Sequence, residues 1–226
     1  MYWTEDADKT EVFQVPENIL DLSFRIDCKC LPNDHAWPLS QALQQALPWL
    51  SQEQGAGIHI IHGPGSQNGW MRPEGPDELI HLSKRTRLTL RMPSERVDDA
   101  IALEGEQLEF NEYRIVLGKA HVKPLSTYEV QFSRNVICDP GMEEEHFLEH
   151  AADEIRKLDI RPRKLMSGMT QQLRSPDGDV TTRSLMVADL EPQEAVALQE
   201  IGIGGGRLLG CGLFIPHKGI KSAKES

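Results

Sequence analysis

The histidines of this chain are the side chains best suited to acid–base chemistry, because an imidazole titrates near neutral pH. Among its 226 residues the sequence has eight histidines. His35 stands where a helix-like segment begins, directly after a strand-like one. A histidine at that place can serve as a general base, or it can simply occupy the start of a helix. The residues alone leave both interpretations open.

The other histidines and the cysteines give no convincing metal site. His59 and His62 lie three residues apart on a predicted strand, so we expect their side chains on opposite faces. His146 and His150 have the i, i+4 spacing of a metal pair on a helix, but their acidic neighbours favour a solvated helix face. The four cysteines lack zinc-ligand spacing and are predicted to be reduced thiols. We therefore expect no metal and no cofactor.

A glycine-rich segment near the end of the chain is the second candidate site. Residues 201–214 read IGIGGGRLLGCGLF, and six of these fourteen residues are glycine. A P-loop would end in Gly-Lys-Ser/Thr, and a dinucleotide fingerprint would be followed by a helix, so neither motif fits. Bare backbone N–H groups at Gly204, Gly205 and Gly206 can instead approach a polyanion, with Arg207 contacting a phosphate or stacking on a base. The alternative is a tight turn in which small residues serve helix–strand packing.

Charge is distributed unevenly along the chain, whose formal net charge is −11. Residues 161–226 contain nine Lys and Arg against seven Asp and Glu, whereas residues 1–160 contain fifteen against twenty-eight. The C-terminal part is therefore the part suited to face an anion. Its candidate cations form three groups. Arg161, Arg163 and Lys164 lie on one predicted strand, Arg174 and Arg183 flank the turn at 175–179, and Lys218 lies beyond the glycines. A solvated edge strand is the alternative for the first cluster.

The elements that must position these groups first appear in the N-terminal half. Alternating or continuous apolar patterns predict strands over 19–31, 57–62 and 85–93 and a strand pair within 106–118. Apolar residues at helical spacing predict helices over 35–50 and 94–103. A connector follows over 119–126.

The same order then returns in the C-terminal half. Strands are predicted over 127–138, 161–168, 180–190 and 207–215, and helices over 142–158 and 191–202. Two successive β-α-β-β-α-β units predict an α+β protein with two tandem ferredoxin-like domains, residues 1–122 and 123–226.

The sequence gives no sign of a membrane association. No apolar run reaches the length of a membrane span. The N-terminus, MYWTEDADKTE, lacks the basic and apolar regions of a signal peptide. We expect a cytoplasmic protein that does not contact a membrane.

These motifs resemble the Cas6 family of CRISPR RNA-processing endoribonucleases. The tandem domain order and GIGGGRLLGCGLF carry the resemblance, and LPNDHAWPLSQALQQALPWL followed by GAGIHII resembles in particular the short Cmx6 variant of Myxococcus-type systems. The resemblance spans residues 19–215. It implies two domains of RRM-like or RAMP type and metal-independent cleavage of CRISPR repeat hairpins that leaves 2′,3′-cyclic phosphate and 5′-hydroxyl ends.

The resemblance also assigns roles to residues. It makes His35 the general base and makes the C-terminal glycines and cations RNA-binding residues. It further implies a place beside other Cas proteins in a type I effector complex. The chain departs from the family pattern in that residues 36–50 contain neither the lysine nor the tyrosine found in many relatives. A second catalytic group would come from elsewhere, with Arg207, His217 and Lys218 as candidates.

Two other functions stay open on the sequence. One is a catalytically silent RNA-binding scaffold of the same superfamily. The other is a two-domain ferredoxin-like protein that binds a small anion, which salt-dependent RNA binding would exclude.

Overall fold

The computed structural model describes residues 13–63, 75 and 77–217. Within this part of the chain the strands are β1 (Ile19–Asp27), β2 (Cys30–Pro32), β3 (Gly57–Ile58), β4 (Leu79–His81), β5 (Arg87–Pro93), β6 (Gln107–Phe110), β7 (Tyr113–Lys123), β8 (Gln131–Ile137), β9 (Lys164–Leu173), β10 (Val180–Ala188) and β11 (Ile215–Pro216). The α-helices are α1 (Ala36–Ala46), α2 (Val97–Ile101), α3 (Glu144–Arg156) and α4 (Pro192–Ile201). Short 3-10 helices lie at Pro48–Ser51, Ser94–Arg96 and Arg207–Leu209.

The N-terminal domain is a five-stranded antiparallel sheet in the order β3-β5-β1-β7-β6. Alternation along β1 directs Leu22 and Phe24 into a core that also contains Leu39 and Leu43 of α1. The intervening residues of β1, among them Asp21, belong to the opposite face of the sheet. That polar face is the one that meets the second domain.

The C-terminal domain is a four-stranded antiparallel sheet in the order β11-β8-β10-β9. Its core joins Phe147 and Ile155 of α3 to Leu185 of β10 and Leu198 of α4. Counted from β8, the strand order is 4-1-3-2, which is that of a ferredoxin-like unit. The first sheet has the same arrangement with β6 added at its edge. The predicted fold class, α+β with two tandem ferredoxin-like domains, is therefore confirmed.

The last strand was predicted too long. Residues 207–215 were expected to form one strand, but a 3-10 helix occupies Arg207–Leu209 and β11 comprises only Ile215–Pro216. The backbone between them contains Gly210 and Gly212 at φ +76° and +66°, a left-handed conformation that interrupts a strand.

Other boundaries also differ from the prediction. The strand expected over 19–31 is divided into β1 and β2, and β2 pairs with β4 in a small sheet that the sequence did not predict. The strand expected over 57–62 is reduced to two residues. The expected connector begins later because β7 continues to Lys123, so the predicted domain boundary at 122–123 falls at the end of this strand. Among the described residues, no helix has the length and apolar character to cross a membrane.

Candidate functional site

His35, the predicted base, is buried at the start of α1, with 1% of its surface exposed. Its Nε2 accepts a hydrogen bond from the backbone N–H of Ile61, at 3.2 Å. Its Nδ1 lies 2.8 Å from the carbonyl oxygen of Pro32. Because Nε2 acts as an acceptor, the ring proton belongs on Nδ1, which donates to Pro32. In this arrangement the imidazole ties the chain around Ile61 to the start of α1.

The glycine segment is in part a packing device. A Cβ atom on Gly202 would lie 2.2 Å from the carbonyl oxygen of Gly212, and one on Gly212 would lie 2.1 Å from that of Ile203. Both distances are far inside van der Waals contact, and both glycines have positive φ. The two ends of the segment can thus approach each other only because neither residue has a side chain.

The middle of the segment is exposed. Gly204, Gly205 and Gly206 all face solvent, and a Cβ on Gly204 or Gly205 would meet no atom within 4 Å. Of these three, Gly205 does not have a positive φ. The tip at 204–206 is therefore the part of the segment whose backbone a polyanion can approach, and its RNA-binding role stays a prediction.

Arg207 lies at the contact between the two domains. Its Nε donates to the carbonyl oxygen of Ala56 and its Nη2 to that of Gly55, each at 3.1 Å. Its Nη1 donates to the carbonyl oxygen of Ile201 at 2.5 Å. Burial, followed by the nearby charge of Arg91, lowers the pKa of Arg207 to about 10. These contacts hold the guanidinium between the two domains, and the predicted contact of Arg207 with RNA stays a prediction.

Arg91 crosses the domain contact in the opposite direction. It is fully buried, and its Nη1 donates to the carbonyl oxygens of Gln199 and Phe214, at 2.7 and 2.9 Å. Its Nε and Nη2 form a bidentate pair with the carboxylate of Asp21, at 2.9 and 3.0 Å. Each domain therefore inserts one arginine that is held by carbonyl oxygens of the other.

A cleft of about 490 Å³ opens beside this clamp, between the polar faces of the two sheets. One wall comes from β5, the chain before it and the end of β7, and the other from β8 and the chain around Gly210. The cationic side chains that line it are Arg85, Arg87, Lys123 and Arg134. Asp21 is its one acidic lining residue among those described, and that carboxylate is already paired with Arg91. The cleft is therefore strongly basic within a chain of net negative charge.

His59 and His62 both line this cleft. The prediction that they face opposite sides is wrong, because regular strand structure ends at Ile58 and the period of two does not extend to His62. His59 Nε2 lies 3.4 Å from Asp21 Oδ1, and 15% of its side chain is exposed. The cleft thus combines two histidines with four cations.

The pKa values of Asp21 and His59 are set by their burial and by the charged groups beside them. Burial alone would raise the pKa of Asp21, but His59 and Arg91 lower it well below its usual range. Burial lowers the pKa of His59, against the raising effect of the adjacent Asp21 carboxylate. Because its pKa is lowered, the His59 imidazole is neutral near neutral pH.

The cations predicted on the C-terminal domain do not line this cleft. Arg163 is bound to Glu194 at 2.5 Å and to the carbonyl oxygen of Asp189, and exposed Lys164 lies 4.0 Å from the Asp189 carboxylate. Arg161 is exposed. Their RNA contacts stay predictions.

The remaining predicted cations are spread over other surfaces. Arg183 donates to the carbonyl oxygen of Met142 and lies over the ring of Phe147. Arg174 lines a separate cavity of about 530 Å³ and pairs with Asp77 at 2.8 Å. Lys218 lies outside the described residues. RNA contacts of these three cations also stay predictions.

We did not predict from the sequence that the cleft cations form a site, although the pattern of polar residues in β5 and just before it could have indicated one. In RTRLTLR the residues at 85, 87, 89 and 91 are polar and alternate with Leu88 and Leu90. A period of two places those polar residues on one face. The pattern predicted a strand, but it did not show that a second domain would cover that face and turn it into a cleft.

No metal site is found within 13–63, 75 and 77–217, where no group of three His, Cys, Asp or Glu side chains could hold an ion. The four cysteines are unpaired thiols, and two of them, Cys138 and Cys211, are buried. The site is therefore described by its histidines, cations and backbone.

Comparison with known proteins relates this architecture to one family. A family model described as Cas6 Crispr matches residues 20–219. The CRISPR-associated endonuclease Cas6 of Myxococcus xanthus (strain DK1622) is 29% identical over 197 residues, covering 87% of this chain and 81% of that protein.

Solved structures show the same fold. A CRISPR associated protein Cas6 superposes with a TM-score of 0.61 at 11% identity, covering 88% of this chain and all of that chain. A RAMP protein described as binding different RNA substrates gives 0.57 at 12% identity, covering 87% of this chain and 98% of that chain. A structure titled as the characterization of a Cas6-related gene from Pyrococcus furiosus gives 0.52 at 12% identity, covering 88% and 99%. At these identities the likeness concerns the fold.

Proposed function

This chain belongs to the Cas6 family of CRISPR-associated proteins, and from that premise we propose that it is an endoribonuclease that binds CRISPR repeat hairpins and cuts precursor RNA into mature guides. Its relative in Myxococcus xanthus is named as an endonuclease. The proposed product ends are a 2′,3′-cyclic phosphate and a 5′-hydroxyl, formed without a metal ion. We further propose that the protein stays with its product in a type I effector complex with other Cas proteins.

The observation that carries the RNA-binding part is the basic cleft between the domains. Four cationic side chains line it from both domains, and its acidic lining residue is paired within the protein. Phosphate contacts from such cations supply most of the affinity for a nucleic acid, and they make it salt-dependent. The overall charge of −11 does not oppose this, because the local field in a cleft decides which ligand is attracted.

Metal-independent cleavage requires acid–base groups and charge stabilisation alone. The 2′-hydroxyl of the nucleotide before the scissile bond loses its proton to a base and attacks the adjacent phosphorus. The bond to the 5′-oxygen breaks, and that oxygen takes a proton from an acid. Cationic side chains stabilise the negative charge that builds up on the phosphorus oxygens. The cleft contains side chains of each of these kinds.

The role of His35 stays a prediction. For its Nε2 to take a proton from RNA, the Ile61 N–H must first leave that nitrogen and the buried ring must become accessible. The same burial favours, as a second candidate function, an RNA-binding scaffold without cleavage activity. The two candidates differ in whether RNA is cut, and they share its binding.

The experiment is a cleavage assay on a hairpin RNA containing the cognate repeat, in excess EDTA, with binding measured in parallel over a salt series. We expect a single cut that yields a cyclic phosphate. Salt-dependent binding without a cut would favour the scaffold. Cutting that stops in EDTA and returns with a divalent ion would contradict the metal-independent mechanism. Absence of salt-dependent RNA binding would contradict both candidates.

A further inference from the structure

Building on the proposed endoribonuclease function, with His35 as its base, we propose that residues 58–62 are a latch that occupies His35 Nε2 in the free protein and is released when RNA binds. The group that occupies Nε2 is the backbone N–H of Ile61, at 3.2 Å. The residues on either side of it, Ile60 and His62, line the basic interdomain cleft. One short segment therefore contacts both the base and the space in which the proposed RNA would lie.

The resting arrangement leaves His35 oriented for use once the latch is released. Its Nδ1 donates to the carbonyl oxygen of Pro32 at 2.8 Å, and this bond does not involve the latch. Because the ring proton is kept on Nδ1, Nε2 is the ring nitrogen whose lone pair can accept a proton. In the free protein that lone pair is occupied by the Ile61 N–H, and His35 is buried. Release of Ile61 frees the lone pair and removes the backbone group that covers it.

The latch lies outside regular sheet structure. The pairing of β3 with β5 includes only Gly57 and Ile58. Beyond it the His59 N–H bonds to the Thr89 carbonyl oxygen at 3.0 Å, and the Ile61 N–H bonds to a side chain instead of to a strand. A segment outside regular pairing opens at a lower free-energy cost than a strand inside a sheet. Release of the latch therefore requires no rearrangement of either domain core.

The glycine segment contacts the same latch. Gly210 lies so close to it that an added Cβ would be 2.4 Å from Cγ1 of Ile60 and 3.1 Å from the carbonyl oxygen of Ile58. Ile60 also packs against a small apolar cluster that includes Ala36, the first residue of α1, and Cys211 of the glycine segment. RNA that contacts the cleft or the glycine segment thus acts on the latch directly, and it favours release if it binds the released state more tightly.

The first test removes the hydrogen-bond donor and keeps the base. Ile61→Pro has no backbone N–H at this position, and Ile61→Val, which shortens the buried side chain but keeps the N–H, is the matched comparison. Both are assayed by kcat/KM on a repeat hairpin in EDTA, at a salt concentration at which RNA dissociates faster than it is cut. His150→Ala, on the exposed face of α3, is the control unrelated to the latch, and thermal denaturation reports folding.

We expect Ile61→Pro to have a kcat/KM about 2- to 10-fold above that of Ile61→Val, because the free enzyme no longer has to break this hydrogen bond. The affinity for a 2′-deoxy hairpin, which cannot be cut, should rise by a similar factor. The gain should appear even if the melting temperature falls. A contact with a purely structural role would instead lower activity and stability together.

The second test follows the wild type by NMR. Amide hydrogen exchange of Ile61 should accelerate when the 2′-deoxy hairpin is added, whereas His59, whose N–H bonds to Thr89, should keep its protection. The ¹⁵N resonance of His35 Nε2 should shift in the same titration, because its hydrogen-bond donor leaves. This test needs no substitution and decides the question even where Ile61→Pro does not fold.

The outcomes that overturn the latch differ from those that overturn the proposed function. If the wild type cuts and folded Ile61→Pro is no faster than Ile61→Val, the latch falls and the endoribonuclease proposal stands. An Ile61 amide that is as protected in the RNA complex as in the free protein also overturns the latch. If the wild type binds the hairpin and never cuts it, the endoribonuclease proposal falls, and the latch falls with it.

Discussion

The backbone N–H of Ile61 donates a hydrogen bond to Nε2 of His35 across 26 positions of sequence, at 3.2 Å. The other ring nitrogen of His35 is bonded to the carbonyl oxygen of Pro32. These two contacts join the start of α1 to the segment that contains the cleft histidines. The first prediction follows from them.

His35→Ala should destabilise the fold by about 2–4 kcal/mol, because it leaves a buried N–H and a buried C=O without partners. Thermal and urea denaturation measure the loss, with His150→Ala as a control on an exposed helix face. Cleavage should fall together with stability. An unchanged melting temperature with abolished cleavage would instead support the direct catalytic role that the family resemblance implies.

Arg207→Ala should lower the free energy of unfolding by about 1.5–3 kcal/mol, because the part-buried carbonyl oxygens of Gly55 and Ala56 and the carbonyl oxygen of Ile201 lose a charged donor. Denaturation measures this, and Arg114→Ala, on the exposed side of β7, is the matched control. The salt dependence of RNA binding should not change. A near-normal melting temperature with a flatter salt dependence would show that Arg207 contacts RNA.

Two glycines of one segment should respond in opposite ways to alanine. Gly212→Ala should strongly destabilise the protein, since the new Cβ would lie 2.1 Å from the Ile203 carbonyl oxygen at a positive φ. Gly205→Ala should leave the melting temperature unchanged, because a Cβ there meets no atom within 4 Å. If the exposed tip approaches RNA, a larger Gly205→Val should weaken binding. Normal binding by folded Gly205→Val would remove the tip from the RNA interface.

Replacing a cleft cation should flatten the salt dependence of RNA binding. Arg87→Gln and Arg134→Gln should each reduce the slope of log K against log salt concentration by about 0.7–0.9. Arg163→Gln is the informative control, because its guanidinium is bound to Glu194 on another surface. Binding titrations between low and moderate salt measure the slopes. A flatter slope for Arg163→Gln alone would place the RNA along β9 instead of in the cleft.

Stability should decrease as the pH falls below about 6.5, owing in part to His59. Its pKa is lowered in the folded protein, so the unfolded chain takes up the proton first as the pH falls through the ordinary value of 6.5. The lowered pKa of Asp21 adds a loss of the same sign below its ordinary value of 3.8. Denaturation from pH 7 to pH 5 measures the first effect. His59→Gln should make that dependence shallower, and an unchanged dependence would contradict a buried, neutral His59.

The sequence by itself determined the order of the elements and the fold class. Periodicity along RTRLTLR and along the apolar positions of α1 is a local property, since a strand repeats every two residues and a helix every 3.6. The same locality identified both β-α-β-β-α-β units and the glycine segment that carries the family resemblance. These features depend on neighbours a few residues apart.

The tertiary structure decided what the chemically interesting residues contact. Arg207 is bonded to Ala56 at a separation of 151 residues, and Arg91 to Phe214 at 123. The convergence of His59 and His62 depends on where β3 ends and on the anchor at His35. No local pattern encodes such contacts, because they arise when the polar face of one sheet packs against another domain. How deeply an arginine is buried, and which groups it contacts, decide whether it can bind RNA or is held by carbonyl oxygens. Both are set by that packing.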